Sequence, residues 1–461
     1  MIPLRDMKYK INRALFAAVV LMLGALLPVC AQSNFEILHT FDVADGANPQ
    51  CNLILSGNRL YGTTYLGGSL TWGTVFAVNT DSTSFTNLYT FGGTNDGAYP
   101  RAGLILSGNT LYGTASSGGS GIYGSGTVFA IQTNGTGFTN LYVFGGTNDG
   151  ASPQASLILS GNTLYGTTVS GGTNGNGVVF AVHVNGTGFT NIHNFTDSDG
   201  FYPQAGLILS GDKLYGTTEY GGNSGDGTVF TINTNGTDFT NLYVFGGTND
   251  GSNPQAGLIL SGNILYGTAS YAGAWNNGTV FAVSTNGTGF TNLYSFNGND
   301  GSMPLASLIL SGNILYGTTR YGSTNGEGIV FAINTNGTGF TNLYSFTPTS
   351  GNYNVNNEGA EPYTSLTLSN NTLYGAAYWG GSSGNGTVFA LSLPVPSLGI
   401  VPTGNQIVLS WPTSAANFSL QTSPDLFNWR IVTNGITAIA SNYVLTNTAS
   451  SQSAFFRLKS Q

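Results

Sequence analysis

A stretch of about fifty residues returns seven times in this chain, and almost everything outside the two ends is a copy of it. Its clearest copy reads ASLILSGNTLYGTT, a glycine-rich gap, GVVFAVHVNGTGF and then TNIHNF, over residues 155–195. The tyrosine of the Leu-Tyr-Gly core recurs at Tyr61, Tyr112, Tyr165, Tyr215, Tyr266, Tyr316 and Tyr374, at separations of 51, 53, 50, 51, 50 and 58 residues. A period of this size marks a repeat architecture, in which each copy buries its apolar face only against its neighbours.

Each copy holds four short runs rich in Val, Ile, Phe, Tyr and Thr, the residues that suit a pleated, packed surface. LILS and LYGTT flank a Gly-Asn pair that predicts a tight hairpin with positive φ. TVFAVN and FTNLYSF follow, joined by Asn-Gly-Thr-Gly. The strands are apolar on both faces, and the small Gly and Thr of LYGTT are expected to let a neighbouring sheet approach. Four-stranded sheets covered on both faces and repeated seven times predict an all-β, seven-bladed β-propeller. The array opens at Phe35–Phe41 on a run of the fourth type and ends at Thr387–Leu391 on one of the third. The N-terminal run can therefore complete the last blade and close the ring, which removes the exposed edges of an open stack.

The rest divides around that array. Residues 1–31 read as a secretory signal: Arg5, Lys8, Lys10 and Arg13 precede the apolar run FAAVVLMLGALL, and Val-Cys-Ala ends it. The run is too short to span a bilayer comfortably, so no membrane span is expected in the mature chain. With Cys30 removed, Cys51 remains alone and no disulfide is expected. The repeat block covers 34–393, residues 394–402 form a proline-containing linker, and 403–461 read as a small immunoglobulin- or fibronectin-like β-sandwich. Within that module Ser423–Trp429 reads as a turn followed by a core tryptophan. The seventh repeat carries an insertion between Phe346 and Ser365.

Of 11 Lys+Arg and 19 Asp+Glu, the signal holds four basic residues and Asp6, which leaves 7 against 18 in the mature chain. That balance argues against nucleic acid or anionic lipid as a partner. Charged residues are 7% of the chain, against about a quarter in a typical domain. A surface of amides, hydroxyls and tyrosines suits a neutral partner such as a polysaccharide, or another cell-surface molecule.

The motif Gly-x-Val-Phe recurs at Gly73–Phe76, Gly126–Phe129, Gly177–Phe180, Gly227–Phe230, Gly278–Phe281, Gly328–Phe331 and Gly386–Phe389, with LYGT before it and DGxxP ahead of that. In these motifs the chain resembles the GloVer tandem-repeat family of exported bacterial proteins, which carry assorted C-terminal anchors or sorting domains. The resemblance covers about 360 residues and implies a location and an architecture, with no activity attached. After the C-terminal module there is no apolar span or basic cluster, so an anchor of that kind is not expected here.

Two loops are expected to share one face of the ring. The connection into each repeat carries Asp45, Asp96, Asp149, Asp199, Asp250 and Asp300, with Glu358 in the seventh. Such carboxylates can ring a pore mouth and hold Ca²⁺, but Asp before Gly also fixes its own turn, and recurrence in every copy favours the turn. No other cofactor is indicated. The gap between the second and third runs is where copies differ. It carries Tyr65 and Trp72, Tyr123, Tyr220, Tyr271 and Trp275, Arg320 and Tyr321, and Tyr378 and Trp379. Aromatics in variable loops on a rigid scaffold form a platform for a sugar ring; packing against adjacent loops is the competing reading.

No catalytic constellation survives inspection. His39, His183 and His193 fall within strands, without the spacing of a zinc site, and nothing marks a Ser-His-Asp triad. The Asn-Gly-Thr sequences at Asn134, Asn185, Asn235, Asn286 and Asn336 sit in hairpin turns rather than at glycan sites. The sequence thus points to a secreted, non-catalytic module that binds carbohydrate or a surface partner. The alternatives are an adhesive scaffold and, through Glu219, Glu327 or Glu358, a polysaccharide lyase or hydrolase.

Overall fold

A computed structural model describes residues 34–461 except 121–123, 352–353, 395, 404–405, 413–417, 440–441, 449–453 and 461. The signal expected at 1–31 therefore lies outside the described residues.

Seven four-stranded antiparallel sheets make up the repeat block, one per repeat, each in the order first-second-third-fourth strand. In the third repeat these are Ile158–Ser160, Thr163–Thr168, Val178–His183 and Thr190–Asn194. The last sheet takes its outer strand from the N-terminus: Asn34–Thr40 pairs antiparallel with Thr387–Ser392. The architecture is a β-propeller.

The sequence fixes the register through one cross-strand pair. Gly166 of LYG lies opposite Phe180 of Gly-x-Val-Phe, and a Cβ on Gly166 would sit 2.7 Å from the Phe180 ring and 2.8 Å from Leu157. The same geometry recurs, for example at Gly62 with Phe76 and Gly216 with Phe230. This glycine makes room for the phenylalanine of its own sheet, not for a neighbouring sheet as its size alone implied. Phe180 is fully buried, a contribution of about 1.5–3 kcal/mol relative to exposure. The first hairpin also differs from expectation. Gly57, Gly108 and Gly161 adopt positive φ whereas their asparagine partners do not, and only in the seventh repeat do both turn residues, Asn370 and Asn371, do so.

The cores lie between sheets. One cluster joins Tyr61, Val75, Ala77 and Phe91 of the first repeat to Leu104, Leu111 and Phe129 of the second. The cluster holding Tyr374, Val388 and Ala390 of the seventh likewise includes Leu60 and Phe76 of the first. The threonine after LYG spans the same junction: Thr63 Oγ1 donates to the Ala102 carbonyl at 3.1 Å and Thr217 Oγ1 to that of Ala256 at 3.1 Å. Between the seventh and first repeats, Thr367 Oγ1 donates to the Leu53 carbonyl at 2.6 Å and the Ser365 N–H to Asn52 Oδ1 at 2.9 Å.

Stacked rings tie the outer strands. Tyr142 lies 3.8 Å from Phe189 at an interplanar angle of 5°, and Tyr89–Phe138, His193–Phe239, Tyr243–Phe290 and Tyr294–Phe340 repeat the arrangement. Phe35 and His39 of the N-terminal strand enter the series by stacking on Tyr344 and Phe85.

The C-terminal strands form a four-stranded and a three-stranded sheet over a core of Leu409, Trp411, Leu420, Leu445 and Phe456. The core tryptophan is Trp411. Trp429, expected in that role, is only half-buried, beneath the Arg457 guanidinium at 4.1 Å. The turn before it is as expected: Asp425 accepts from the Ser423 hydroxyl and from the Phe427 and Asn428 N–H groups.

Candidate functional site

Every entry loop, Asp-Gly-x-x-Pro in six repeats and Glu-Gly-Ala-Glu-Pro in the seventh, holds a non-glycine residue in a left-handed conformation directly before its proline. Asn48, Tyr99, Ser152, Tyr202, Asn253, Met303 and Glu361 all have φ between 53° and 58°. For a residue other than glycine or asparagine this backbone is costly, by about 1–3 kcal/mol, and it persists because its N–H is used across a junction and its carbonyl within its own repeat. The Tyr99 N–H donates to the Trp72 carbonyl of the preceding repeat at 2.9 Å, and its own carbonyl accepts from the Ser116 N–H at 3.3 Å. The equivalent bond from the Asn48 N–H to the Asn385 carbonyl, 2.7 Å, links the first repeat to the seventh. Short bridges such as Ala98–Ser117 and Phe201–Tyr220 bind this loop to the variable gap, so both do lie on one face.

That clamp gathers three sets of side chains. The residues after the proline, Gln50, Arg101, Gln154, Gln204, Gln255, Leu305 and Tyr363, line an axial cavity of about 100 Å³ to which all seven repeats contribute. Around its mouth the charges are distributed unevenly. Arg320 pairs with Glu361 at 2.9 Å and lies over the Tyr321 and Tyr363 rings, 4.5 and 4.6 Å from their centres. Glu219 is buried; it accepts from Gln255 Nε2 at 2.8 Å and from Gln204 Nε2. Burial raises its carboxyl above the ordinary value and outweighs the donors Tyr220, Gln204 and Gln255. Arg101 lies over the Tyr65 ring at 4.2 Å.

Four of the expected aromatics fall at one equivalent position. Tyr220, Tyr271, Tyr321 and Trp379 each follow the second strand by two residues, in the fourth to seventh repeats, where the first three carry Leu66, Ser117 and Ser170. They form an arc over one side of the face. Tyr202 and Phe201 stand at one end of it, with Phe201 5.4 Å from Tyr220. At the other end Tyr378 lies 4.8 Å from Trp379 and 5.1 Å from Tyr363, and Tyr65 lies 5.0 Å from Tyr99. Tyr271 is 42% and Trp275 65% exposed. Trp72 is instead built into the fold: it meets Tyr99 edge-on at 5.2 Å, and a Cβ on Gly93 would come within 2.7 Å of its ring. Tyr123 lies outside the described residues.

The repeated carboxylates are engaged away from the axial cavity. Asp96 accepts from the Tyr89 hydroxyl at 2.9 Å and the Gly92 N–H at 2.7 Å, Asp149 from Tyr142 and Gly145, Asp250 from Tyr243 and Gly246, and Asp300 from Tyr294 and Asn297. Asp45 and Asp199 meet His39 and His193 at 2.9 and 3.0 Å, and Glu358 accepts from Thr347. Each fixes a turn and holds the ring of the preceding outer strand in its stack. Burial and this hydrogen bond push the Tyr89, Tyr142, Tyr243 and Tyr294 hydroxyls far above their ordinary value. Among the described residues no three His, Cys, Asp or Glu side chains gather as a metal site. Glu327 is likewise held, by the Thr349 N–H and hydroxyl.

The entry-loop residues Tyr99, Arg101, Tyr202, Glu361 and Tyr363 were not singled out from the sequence. Their signal was there: in a motif whose Asp, Gly and Pro hardly vary, the residues flanking the proline change from copy to copy.

The model of the Gloeobacter/Verrucomicrobia repeat matches residues 24–212 and 189–357. The chain belongs to that family. No curated protein matches this Gloeobacter/Verrucomicrobia repeat chain in sequence. Among solved structures, it is similar to a GH74 enzyme of Niastella koreensis, at 14% identity and a TM-score of 0.50, over 88% of this chain and 62% of that one. An oligogalacturonate lyase of Vibrio parahaemolyticus matches at 10% identity and a TM-score of 0.47, over 79% and 97%. A nidogen/laminin complex matches at 14% and 0.40, over 63% and 93%. At such identity the likeness to the Niastella enzyme is one of fold alone. Among the described residues no helix is long and apolar enough to cross a membrane.

Proposed function

We propose that this repeat protein is an exported, non-catalytic binding module that recognises carbohydrate through the aromatic side of its loop-bearing face. Export rests on the basic and apolar pattern of residues 1–31. Binding rests on one observation above all: Tyr220, Tyr271, Tyr321 and Trp379 occupy the same position in four consecutive repeats, while the first three repeats place leucine or serine there. A purely structural position is expected to look alike in every repeat, as Phe180 and its equivalents do. This one differs, is partly solvent-exposed, and stands at the end of a rigid strand, where an aromatic face meets a sugar ring at low entropic cost.

The test is affinity for oligosaccharides in Tyr271→Ala, Trp275→Ala and Trp379→Ala. Each is expected to weaken binding at least severalfold with an unchanged unfolding temperature for Tyr271 and Trp275, the most exposed of the set. Trp72→Ala is not a clean probe, because its indole packs on Gly93 and Tyr99. Unchanged affinity in all three variants would move the role to a scaffold that spaces and stacks. Turnover of a polysaccharide by the purified chain would instead favour the enzyme reading.

A further inference from the structure

Arg101 stands apart from the other charges of the loop face. It follows the proline of the second repeat, where the first, third, fourth and fifth repeats carry Gln50, Gln154, Gln204 and Gln255, and it lines the axial cavity with them. Its guanidinium lies 4.2 Å from the centre of the Tyr65 ring. Among the described residues it forms no ion pair, and its Nε is buried without a hydrogen-bond partner. The other cation of this mouth, Arg320, is already matched by Glu361 at 2.9 Å.

A buried donor on a charged group is expensive to leave unmet. A guanidinium laid on an aromatic face keeps its edge free, and that edge fits a carboxylate bidentately. In a chain of 19 acidic and 11 basic residues, an unmatched cation in the axial cavity is where an anionic group is drawn. The neighbouring groups define the rest of the ligand. Gln204 and Gln255 donate their Nε2 atoms to Glu219, which leaves their Oε1 atoms as acceptors on the cavity wall. Hydroxyl groups suit such acceptors better than a second anion does. The cavity, about 100 Å³, holds several waters at ~10–15 Å³ each, room for one sugar ring with its carboxylate and not for a chain in mid-course.

Resting on the carbohydrate reading above, we propose that the axial mouth is the end-group pocket for an acidic polysaccharide. Arg101 takes the carboxylate of a terminal uronic-acid unit, the glutamine ring takes its hydroxyls, and the aromatic arc carries the units that follow.

The experiment is calorimetric titration of the purified chain with trisaccharides of galacturonic and of mannuronic acid, each beside its methyl ester. Arg101→Met keeps an unbranched apolar stem but removes the charge and the guanidinium on Tyr65, and Arg101→Lys keeps the charge without the fork. At least one acid trisaccharide is expected to bind ten-fold or more tighter than its ester, with an advantage that shrinks as salt is raised. Arg101→Met should abolish that advantage, Arg101→Lys should keep part of it, and both should unfold at the wild-type temperature. Trp275→Ala should weaken acid and ester alike. Equal binding of acid and ester, or full acid preference in Arg101→Met, overturns the pocket and leaves the broader carbohydrate reading standing. Tighter binding of a polyglutamate peptide than of either trisaccharide overturns it too. Failure of the folded chain to bind any acid, ester or neutral oligosaccharide overturns both.

Discussion

Cys51 occupies the position held by Ala102, Ala155, Ala205, Ala256 and Ala306 in the next five repeats. It is fully buried, its Sγ accepts the Thr63 N–H at 2.9 Å, and burial pushes its thiol up to about 11. Since the thiolate is the reactive form, a thiol reagent should label the native chain at neutral pH only after unfolding. Cys51→Ala should cost no more than about 1 kcal/mol in denaturant melts, the net worth of one hydrogen bond. Rapid labelling of the folded chain would show the position to be open. Glu219 gives a residue-scale prediction in pH. A carboxyl whose folded pKa is raised favours the fold when protonated, so its contribution is complete below the ordinary 4.5 and is lost as pH rises through the raised value. Between pH 4 and 7 the urea midpoint of the wild type should therefore fall relative to that of Glu219→Gln; parallel curves would contradict the assignment.

At the scale of the strand, much was legible because the repeat supplies its own controls. Seven sheets, their strand order and the outer strand lent by the N-terminus all follow from counting runs of each type. What the glycine of LYG does was not legible. Its smallness says that something comes close, and only the register shows that the something is the Phe180 ring from across the same sheet. Gly166→Ala should accordingly destabilise by about 1–3 kcal/mol, and Phe180→Ala by about 3–5 kcal/mol, both read from denaturant midpoints. The entry-loop aspartates were half legible. A turn was expected from Asp-Gly, but their bonds to Tyr89, Tyr142 and the two histidines join residues six or seven apart through a side-chain stack that no local motif announces. Removing residues 34–40 should strip Thr387–Ser392 of its partner and the Tyr344 ring of Phe35. An unpaired edge invites pairing between chains, so that variant should run as oligomers in size-exclusion chromatography and unfold at a lower temperature.

The whole molecule combines a regular frame with an irregular face. The frame repeats the same Gly–Phe pair, threonine bond and stacked rings at successive junctions, so sequence variation there is small. The face is held by the same clamp at each junction, yet its side chains run from serine on one side to tyrosine and tryptophan on the other. Regularity in sequence therefore located the frame, and departures from it located the face. The gap aromatics were visible as departures; the residues flanking each proline were hidden inside a motif that otherwise hardly changes. The measurement that tests the central claim most directly is a glycan and polysaccharide binding screen on the purified chain, run with Ca²⁺ and again with chelator. Selective binding that survives the chelator is predicted, because the repeated carboxylates are already bonded to rings and turns. Silence across the panel from a folded, monodisperse sample would contradict the carbohydrate assignment, and binding abolished by chelator would contradict the role given to Asp96 and its equivalents.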